Sequence, residues 1–449
     1  MATQVLWFRR DLRLTDHAAL LAAASAAGDD GVVPLFVLDP ALLRPSGAPR
    51  VAFLLRSLRA LDADLRRHGP GLVVRSGRPE DVLPEFVAEA GAEAVHVSAD
   101  FGPYGAERDR RVEDVLEVPL VRTGSPYAVA PGRVLTGGGT PYRVFTPFLK
   151  AWLAHGWRAP AASDAGATVW RGLPSEGIPD DPDLDGTVLP EAGEAAAHGA
   201  WSEFLDRLPD YAQERDRPDL DSTSRLSAYL KIGAIHPRTL LADLGPDDTT
   251  YRAELAWREF YADVLHHQPE SARSSLHPEL DGLPWAGGDL LAERLAAWAE
   301  GRTGYPLVDA GMRQLRAEGW MHNRVRMLVA SFLVKDLKVE WRHGARHFMT
   351  RLVDGDLASN QHGWQWTAGC GTDASPYFRI FNPVTQSRRF DPSGDYIRRW
   401  VPELRDLGPK EIHEPWRAGP PDGYPAPIVD HGEERASALA AYDELRRGR

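Results

Sequence analysis

Two stretches place polar and aromatic side chains at helical spacing in a density that a packed core does not use: GWMHNRVRM from Gly319 to Met327, and LVDGDLASNQHGWQW from Leu352 to Trp366. On a helix through the first, Asn323, Arg326 and Met327 fall opposite an apolar stripe of Val325, Leu328, Val329, Phe332 and Leu333. Asp354 and Asp356, flanking Gly355, offer carboxylates to Arg326, because a buried guanidinium needs a counter-charge. A structural ion pair would satisfy the same pattern, so both readings stay open. No cluster of histidine or cysteine completes a ligand set around the two aspartates, and no metal is expected there. Together the two stretches imply a ligand.

Two further segments carry chemistry. DSTSRLS, Asp221 to Ser227, sets hydroxyls and an expected N-cap before SAYLKIG, so amide groups and side-chain oxygens converge at a helix start, a good place for phosphate. Ordinary capping is the plainer account of this segment alone. Upstream, Tyr211 and Arg215 lie four apart and share one helical face. On the helix through ELAWREFY, Glu254, Trp257 and Tyr261 fall at i, i+3 and i+7, with Leu255 and Val264 pointing elsewhere. A carboxylic acid beside a flat aromatic surface suits a heterocyclic base, which it can hydrogen-bond while the ring stacks. The alternative is a surface pair of Glu254 with Arg258, and Trp257 in the core.

The elements that must hold these groups follow from periodicity. At 449 residues, with 43% hydrophobic and 26% charged side chains, the chain has the size and composition of a globular protein of two domains. From Gln4 to about Thr123 short apolar runs (VLWF, VVPLFVLD, LVVRSG, AVHVS) alternate with amphipathic stretches near Asp16 to Ala27, Pro49 to Arg67 and Pro79 to Ala90. That alternation predicts an α/β domain with a doubly wound parallel sheet, its ligands gathered at the carboxyl ends of the strands near Arg9, Arg10, Asp39 and Asp100. No phosphate-binding glycine fingerprint occurs there. From about Ala159 to His198 the chain is rich in Ala, Gly, Pro and Asp without periodicity, a connector wrapped on the surface or partly mobile. Beyond it the pattern is helical, with a stripe of Trp201, Phe204, Leu205, Leu208 and Tyr211. The expected domains are 1–130 (α/β), 131–198 (connector) and 199–449 (all-α).

Cys370 is the single cysteine, which excludes an internal disulfide framework and favours a reducing cytoplasm. No segment has membrane-spanning length, and the N-terminus QVLWFRRDLRL is charged where a signal peptide would be apolar. A bacterial, cytoplasmic location is therefore expected, with no membrane attachment. The formal charge of −12 argues against a general polyanion binder, so any nucleic-acid site must be a local basic patch.

In order along the chain, LWFRRDLRLTDHAAL, TSRLSAYL, ELAWREFY, EGRTGYPLVDAGMRQL, GWMHNRVRM, VDGDLASN, WQW and DASPYFRIFNP resemble the motifs of the photolyase and cryptochrome family, specifically the class I cyclobutane pyrimidine dimer DNA photolyases. The likeness spans nearly the whole chain. It implies an N-terminal α/β antenna domain and a helical domain that binds FAD in a folded form. By motif, Tyr211 and the run Thr223, Ser224, Arg225, Leu226 and Ser227 would hold the FAD phosphates. Asn323 and Arg326 would contact the flavin side, Asp354, Gly355 and Asp356 the ring edge and ribose, and Asn360 flavin N5, where its amide favours the reduced, anionic state.

The resemblance further implies light-dependent repair of UV-damaged DNA: a dimer flipped from the duplex accepts an electron from excited reduced flavin, splits and returns it. Trp257 and Trp366 would stack on the dimer, Glu254 would hydrogen-bond its pyrimidine edge and stabilise the radical anion, and Asn323 and Met327 would complete the wall. Arg258 and Tyr261 join this lesion face. Trp364, Trp341 and Trp285 resemble the family's tryptophan chain for flavin photoreduction, with Trp298 a competitor of Trp285 for the outermost place. Arg215, Arg324 and Gln386 sit in family motifs as DNA ligands, alongside a wider patch of Arg379, Arg388, Arg389, Arg398 and Arg399.

Retention of Asn360 argues against the runner-up, a cryptochrome photoreceptor, which usually departs from Asn at that position or carries a signalling tail. Met327 stands where a (6-4) photolyase typically places histidine. An antenna chromophore is expected near Phe36, Asp39 and Asp100, and 8-hydroxy-deazaflavin is favoured over methenyltetrahydrofolate because Ala272 to Ser275 lacks the Cys and Lys associated with folate in some relatives. His362 departs from the small residue the motif leads one to expect. The resemblance suggests a monomer without an obligate protein partner.

Overall fold

In the computed structural model, which describes residues 2–373, 379–419 and 421–447, the chain forms two compact units. The first comprises Met1–Leu184, Pro190–Pro209 and Ser224–Pro269, the second Asp185–Leu189, Asp210–Thr223 and Glu270–Arg449. Residues 374–378 of the DASPYFRIFNP motif lie outside the described residues.

The first unit is built on strands β1 (Gln4–Phe8), β2 (Val32–Leu38), β3 (Val73–Ser76), β4 (Ala94–Val97) and β5 (Leu120–Arg122), in the order β3-β2-β1-β4-β5 with every pairing parallel. β1 and β2 are buried at every position, as strands covered on both faces must be. The connecting helices are α1 (Ala18–Ala27), α2 (Ala48–Arg66), α3 (Pro79–Ala90) and α4 (Pro103–Val115). On α2, within the amphipathic stretch Pro49 to Arg67, Phe53, Leu55, Leu58, Leu61 and Leu65 are buried. The carboxyl ends of β1, β2 and β4 deliver Arg9, Asp39 and Ser98 to one edge of the sheet.

The unperiodic connector is fastened rather than loose. Val32 N donates to Val169 O (2.8 Å), Arg171 N returns to Val32 O (2.9 Å), and Glu176 N reaches Val74 O (3.0 Å), so this run borrows open backbone groups of β2 and β3. Asp181 then takes Arg56 and Arg59 of α2 at 2.6 and 2.7 Å. The same unit holds α5 (Phe145–His155), α6 (Ser227–Ile232) and α7 (Thr249–His267).

The second unit is helical, with α8 (Pro306–Glu318), α9 (Asn323–Ser331), α10 (Trp341–Arg351), α11 (Leu357–Ala368) and α12 (His431–Arg447) as its main elements. Its core gathers Val325, Leu328, Val329, Phe332 and Leu333, the stripe read from the sequence, with Trp298, Trp341, Phe348 and Trp364. Gly344 lets α10 and α11 meet closely, since a Cβ there would overlap the Trp364 ring. That approach fixes the height of α11 against its neighbour.

Candidate active site

In the second unit, α9 begins at a His322 cap whose Nδ1 accepts from Arg324 N (3.2 Å). Asn323 is exposed, Arg326 and Met327 are half-buried, and Val325, Leu328 and Val329 face inward, so the polar and apolar faces fall where the spacing puts them. Arg326 makes a two-pronged pair with Asp354, Nη1 to Oδ1 at 3.2 Å and Nη2 to Oδ2 at 2.8 Å, and its Nε donates to Met321 O (2.7 Å). The ion pair is therefore real, and Asp354 alone supplies it among the two candidates. Asp356 instead caps α11, its Oδ1 accepting from Ser359 N (3.1 Å). The pair ties α9 to the turn through Gly355 that opens α11, which places Asn323, Arg326 and Asp354 side by side.

Asn360 lies one turn into α11. Its Nδ2 donates to Ala345 O on α10 (3.1 Å) and to Gln361 Oε1 (2.9 Å), and no donor among the described residues reaches its Oδ1. With the amide turned this way, the oxygen remains to accept a hydrogen bond, which suits an N–H such as that of a reduced flavin N5. Three neighbours hold the helix in this rotation. Gln361 Nε2 donates to Ala272 O (2.6 Å), Gln365 bridges Ser271 O (2.8 Å) and Leu276 N (2.9 Å), and His362 sits between Ala358 O (2.8 Å) and Ser271 Oγ (3.0 Å). His362 is thus neutral, with Nδ1 protonated toward Ala358 and Nε2 accepting from Ser271, and burial pushes its pKa down to about 4. The histidine that departs from the motif serves to pin the segment around Ser271. Nothing in residue type alone signals that role.

The tryptophans separate by depth. Trp364 is buried against Phe348 (centroids 5.0 Å) and Trp298 (6.0 Å), and Trp341 is buried with its Nε1 on Ser275 Oγ (3.0 Å). Trp285 is half-buried, with Nε1 on Asp281 O (3.2 Å). Trp298 is wholly buried, its Nε1 bound to Val329 O (2.9 Å), which makes it a core residue and leaves Trp285 nearer solvent. Trp366 is half-buried on α11.

Several expected DNA ligands are committed elsewhere. Arg324 pairs with Asp216 (Nη2 to Oδ1, 2.8 Å) and lies over Phe390 (4.7 Å). Arg388 pairs with Glu414, and Arg398 with Asp395 (3.1 Å). Arg389 and Arg399 are exposed, and Gln386 is half-buried on the helix Pro383–Phe390. Arg215 lies over the ring of buried Tyr211, 5.7 Å to its centroid.

In the first unit, the capping account of DSTSRLS fails. The residue at the cap of α6 is Leu226, without a side-chain cap bond, while Ser224 Oγ receives the Tyr251 hydroxyl (3.0 Å). Arg225 takes a positive φ of 50°, turning the chain sharply just before α6, and Ser224 Oγ accepts from Leu226 N at 3.5 Å. Thr223 and Ser224 are half-buried, Arg225 and Ser227 exposed.

On α7, Glu254, Trp257 and Tyr261 are half-buried along one face. Trp257 stacks flat on Phe145 of α5, centroids 3.6 Å apart and 9° between planes, so one face of the indole is occupied by protein. Arg258 is a correction to the sequence reading. It turns away from that face, donating to Pro126 O (3.0 Å) and Leu230 O (3.1 Å) with its cation 4.6 Å from the Tyr127 centroid. The opposite side of α7 carries residues the sequence reading missed. Glu259 accepts from Ala128 N, Val129 N (3.0 Å) and Trp152 Nε1 (2.6 Å), and Asp263 accepts from Gly132 N (2.7 Å). Burial pushes the Glu259 pKa up to about 7. Two carboxylates at i and i+4 amid apolar neighbours were the available signal.

At the sheet edge, Phe36 is buried, Asp39 caps the short helix Pro40–Leu43 through Ala41 N (2.9 Å) and takes the Tyr104 hydroxyl, and Asp100 accepts from Gly102 N (3.2 Å) and Arg108 (3.3 Å). Arg9 and Arg108 both lie over Trp7, at 4.7 and 5.1 Å, and both pair with Asp109. Among the described residues no group of three or more His, Cys, Asp or Glu is placed to hold a metal, and no helix is long and apolar enough to cross a membrane.

A doubly wound parallel sheet in the first unit and a helical second unit define an α/β-plus-helical protein, and the second unit carries donors and acceptors for a ligand at Asn323, Arg326 and Asn360. Comparison with known proteins makes this specific. Residues 4–165 match the family model of DNA photolyase, and residues 251–444 match that of the FAD binding domain of DNA photolyase. The chain is 42% identical to a deoxyribodipyrimidine photo-lyase of Streptomyces griseus, covering 97% of this chain and 98% of the relative, and 38% identical to that of Escherichia coli over 100% of both. Among solved structures it resembles a class III photolyase from Agrobacterium tumefaciens (39% identity, TM-score 0.90, 100% and 98% covered) and a Synechocystis cryptochrome (28% identity, TM-score 0.87, 98% and 99% covered). The chain belongs to the DNA photolyase family. Within the second unit the residues present fit a flavin: exposed Asn323 lies on α9 beside the Arg326–Asp354 pair, and no donor among the described residues reaches Asn360 Oδ1.

Proposed function

We propose that the protein repairs cyclobutane pyrimidine dimers in UV-damaged DNA with light, as a class I photolyase. The observation that carries this reading is the full-length likeness to deoxyribodipyrimidine photo-lyases, with Glu254 and Trp257 half-buried on one face of α7. When bound, reduced FAD supplies under light the electron that opens the cyclobutane ring. Thr223 to Ser227 and Tyr211 would hold its phosphates, and Asn323, Arg326, Asp354, Gly355 and Asp356 would line its ring and ribose. Asn360 would offer Oδ1 to N5–H, favouring the reduced state over the oxidised one, whose N5 has no proton to donate.

The lesion is held by Trp257 and Trp366 through stacking, with Asn323, Met327 and Tyr261 as its wall. Glu254 hydrogen-bonds the pyrimidine edge where negative charge develops, a preorganised partner that needs no rearrangement during reaction. Arg215, Arg389, Arg399 and Gln386 position phosphates. Trp364, Trp341 and Trp285 would be the path by which electrons pass inward to an oxidised flavin. The same proposal takes in an antenna domain to residue 130, a connector to 198, a catalytic domain beyond, an 8-hydroxy-deazaflavin near Phe36, Asp39 and Asp100, and a monomer in the cytoplasm.

The test is illuminated repair of a dimer-containing duplex, with undamaged DNA and a dark reaction as controls. Glu254→Ala should lower the repair rate about 100-fold, and Trp257→Ala should weaken damage-specific binding by roughly 1–3 kcal/mol. A protein that binds FAD but restores no dimers under light would overturn the proposal.

A further inference from the structure

Arg324 and Arg326 leave the same helix, α9, two residues apart, and the second unit pairs each with an aspartate in a different way. Arg326 and Asp354 meet through both carboxylate oxygens, and the Asp354 side chain is only 2% exposed. Arg324 reaches Asp216 through one oxygen, Nε to Oδ1 at 3.1 Å and Nη2 to Oδ1 at 2.8 Å. No donor among the described residues reaches Asp216 Oδ2, and the Arg324 and Asp216 side chains are 22% and 36% exposed. A buried two-pronged pair is costly to part, whereas a wet pair through one oxygen adds little to the fold. The Arg324 pair can therefore exchange its anion.

Arg324 has supports besides Asp216. Its guanidinium lies 4.7 Å from the centroid of Phe390, a ring 6% exposed, and its Nη1 reaches Met327 Sδ (3.8 Å). Arg389 lies against the same ring, 5.0 Å from its centroid; it is exposed and has no carboxylate partner among the described residues. Two cations against one ring repel each other, and Asp216 offsets that charge in the free protein. The acids that neighbour these residues in sequence have other partners. Asp219 accepts from Arg217 Nε (2.8 Å), and Asp391 accepts from Tyr396 N (3.1 Å) and Ile397 N (3.0 Å). Asp216 is thus the carboxylate whose release would leave a pair of oriented guanidinium groups ready for another anion.

We propose that Asp216 is an exchangeable counter-anion for Arg324: it holds the guanidinium in the free protein and gives it up to a backbone phosphate of bound DNA, which then meets Arg324 and Arg389 together against Phe390. A phosphodiester carries the same single charge as the carboxylate, so the exchange needs no proton transfer, and Phe390 and Met327 keep the arginine aimed while it happens. Asp216 competes with every phosphate alike, because phosphate contacts carry no sequence information. It therefore loosens the hold on the DNA backbone and shortens the stay on intact duplex, where no flipped base adds to the binding. Asp216 is a positioning residue that tunes affinity, and the inference deepens the repair reading and rests on it.

Dark titrations and dissociation rates of the FAD-loaded protein, on intact and dimer-containing duplexes, test it in a double-mutant cycle. Asp216→Asn should tighten binding to both DNAs about three- to fivefold, the size expected for a half-buried ion pair, with the change in the dissociation rate. The slope of log affinity against log salt should steepen by about 0.9, because no freed carboxylate recaptures a cation. Asp216→Ala, which can make no hydrogen bond to Arg324, should tighten binding as well, and repeats the test without an amide in place of the acid. In an Arg324→Met background Asp216→Asn should bring little gain. Equal gains in the two backgrounds would reduce Asp216 to a general repulsive charge and overturn the inference, as would binding that is unchanged or weaker in both Asp216→Asn and Asp216→Ala. A parent that holds damaged and intact duplexes equally would instead count against the repair reading, while the cycle on intact duplex still decides the role of Asp216.

Discussion

The sheet edge of the first unit and the α9 to α11 face of the second are both rich in arginine and aspartate, yet they use them differently. At the sheet edge Arg9, Arg108, Asp100 and Asp109 close on one another over Trp7, and Asp39 is spent on a helix cap and the Tyr104 hydroxyl. On the helical face one pair, Arg326 with Asp354, fixes the frame, and beside it Asn323 is exposed and Asn360 keeps its oxygen clear of the chain's own donors. Charge density is the same signal in both places. The atoms left over after internal pairing tell a structural cluster from a binding face.

The largest test sets two arginines against each other. Arg326→Met leaves the Asp354 carboxylate, 2% exposed, without its paired counter-charge, whereas Arg108→Met leaves Asp100 still under the influence of Arg10 and Arg9. The first should cost about 3 kcal/mol in denaturant unfolding and the second less, and only Arg326→Met should also release FAD on gel filtration. Flavin lost from both variants, or from neither, would break the contrast.

An effect of similar size, spread over a range of pH, separates fastening from binding within α11. The His362 pKa is depressed by burial from 6.5 to about 4, so the unfolded chain binds the extra proton between those values and the folded protein does not. The stability this contributes is complete above pH 6.5 and is lost as the pH falls toward 4, about 3 kcal/mol in all. His362→Gln should flatten that part of the acid unfolding profile. An unchanged profile would remove His362 from its place as the pin of the Ser271 segment.

How much of this was legible in residues alone follows from the range of the interactions. The parallel sheet, the stripe on α9 and the Arg326 pairing with an aspartate of the VDGD run depend on local period and on the rule that buried charge is paired, and the structure has them. Which aspartate pairs was not readable, because Asp354 and Asp356 differ only in the turn through Gly355. The internal partners of Arg258 and Arg324 were unreadable for a related reason: a helix face says where a long side chain starts, and their guanidinium groups end on Pro126 O and on Asp216, far away in sequence. Glu259 and Asp263 escaped notice since their partners are backbone amides of residues 128–132, which carry no sequence signature.

The smallest predicted effect concerns Phe145, which no motif marks. Its ring lies flat on Trp257 at 3.6 Å, so it blocks one face of the indole and holds the plane of the other. Stacking on a flipped base is then possible from one side only, with the orientation set before binding. Phe145→Leu keeps most of the apolar volume but removes the flat support. An aromatic pair is worth about 0.5–1.5 kcal/mol beyond its buried area, so damage-specific affinity should weaken by roughly three- to tenfold, while binding to undamaged duplex and FAD content stay constant. Titration of dimer-containing and intact oligonucleotides in the dark reads this directly. Equal loss on both DNAs would mean that Phe145 supports the fold of α5 and α7, and would place the orientation of Trp257 under the control of Tyr261, 5.3 Å away on its own helix.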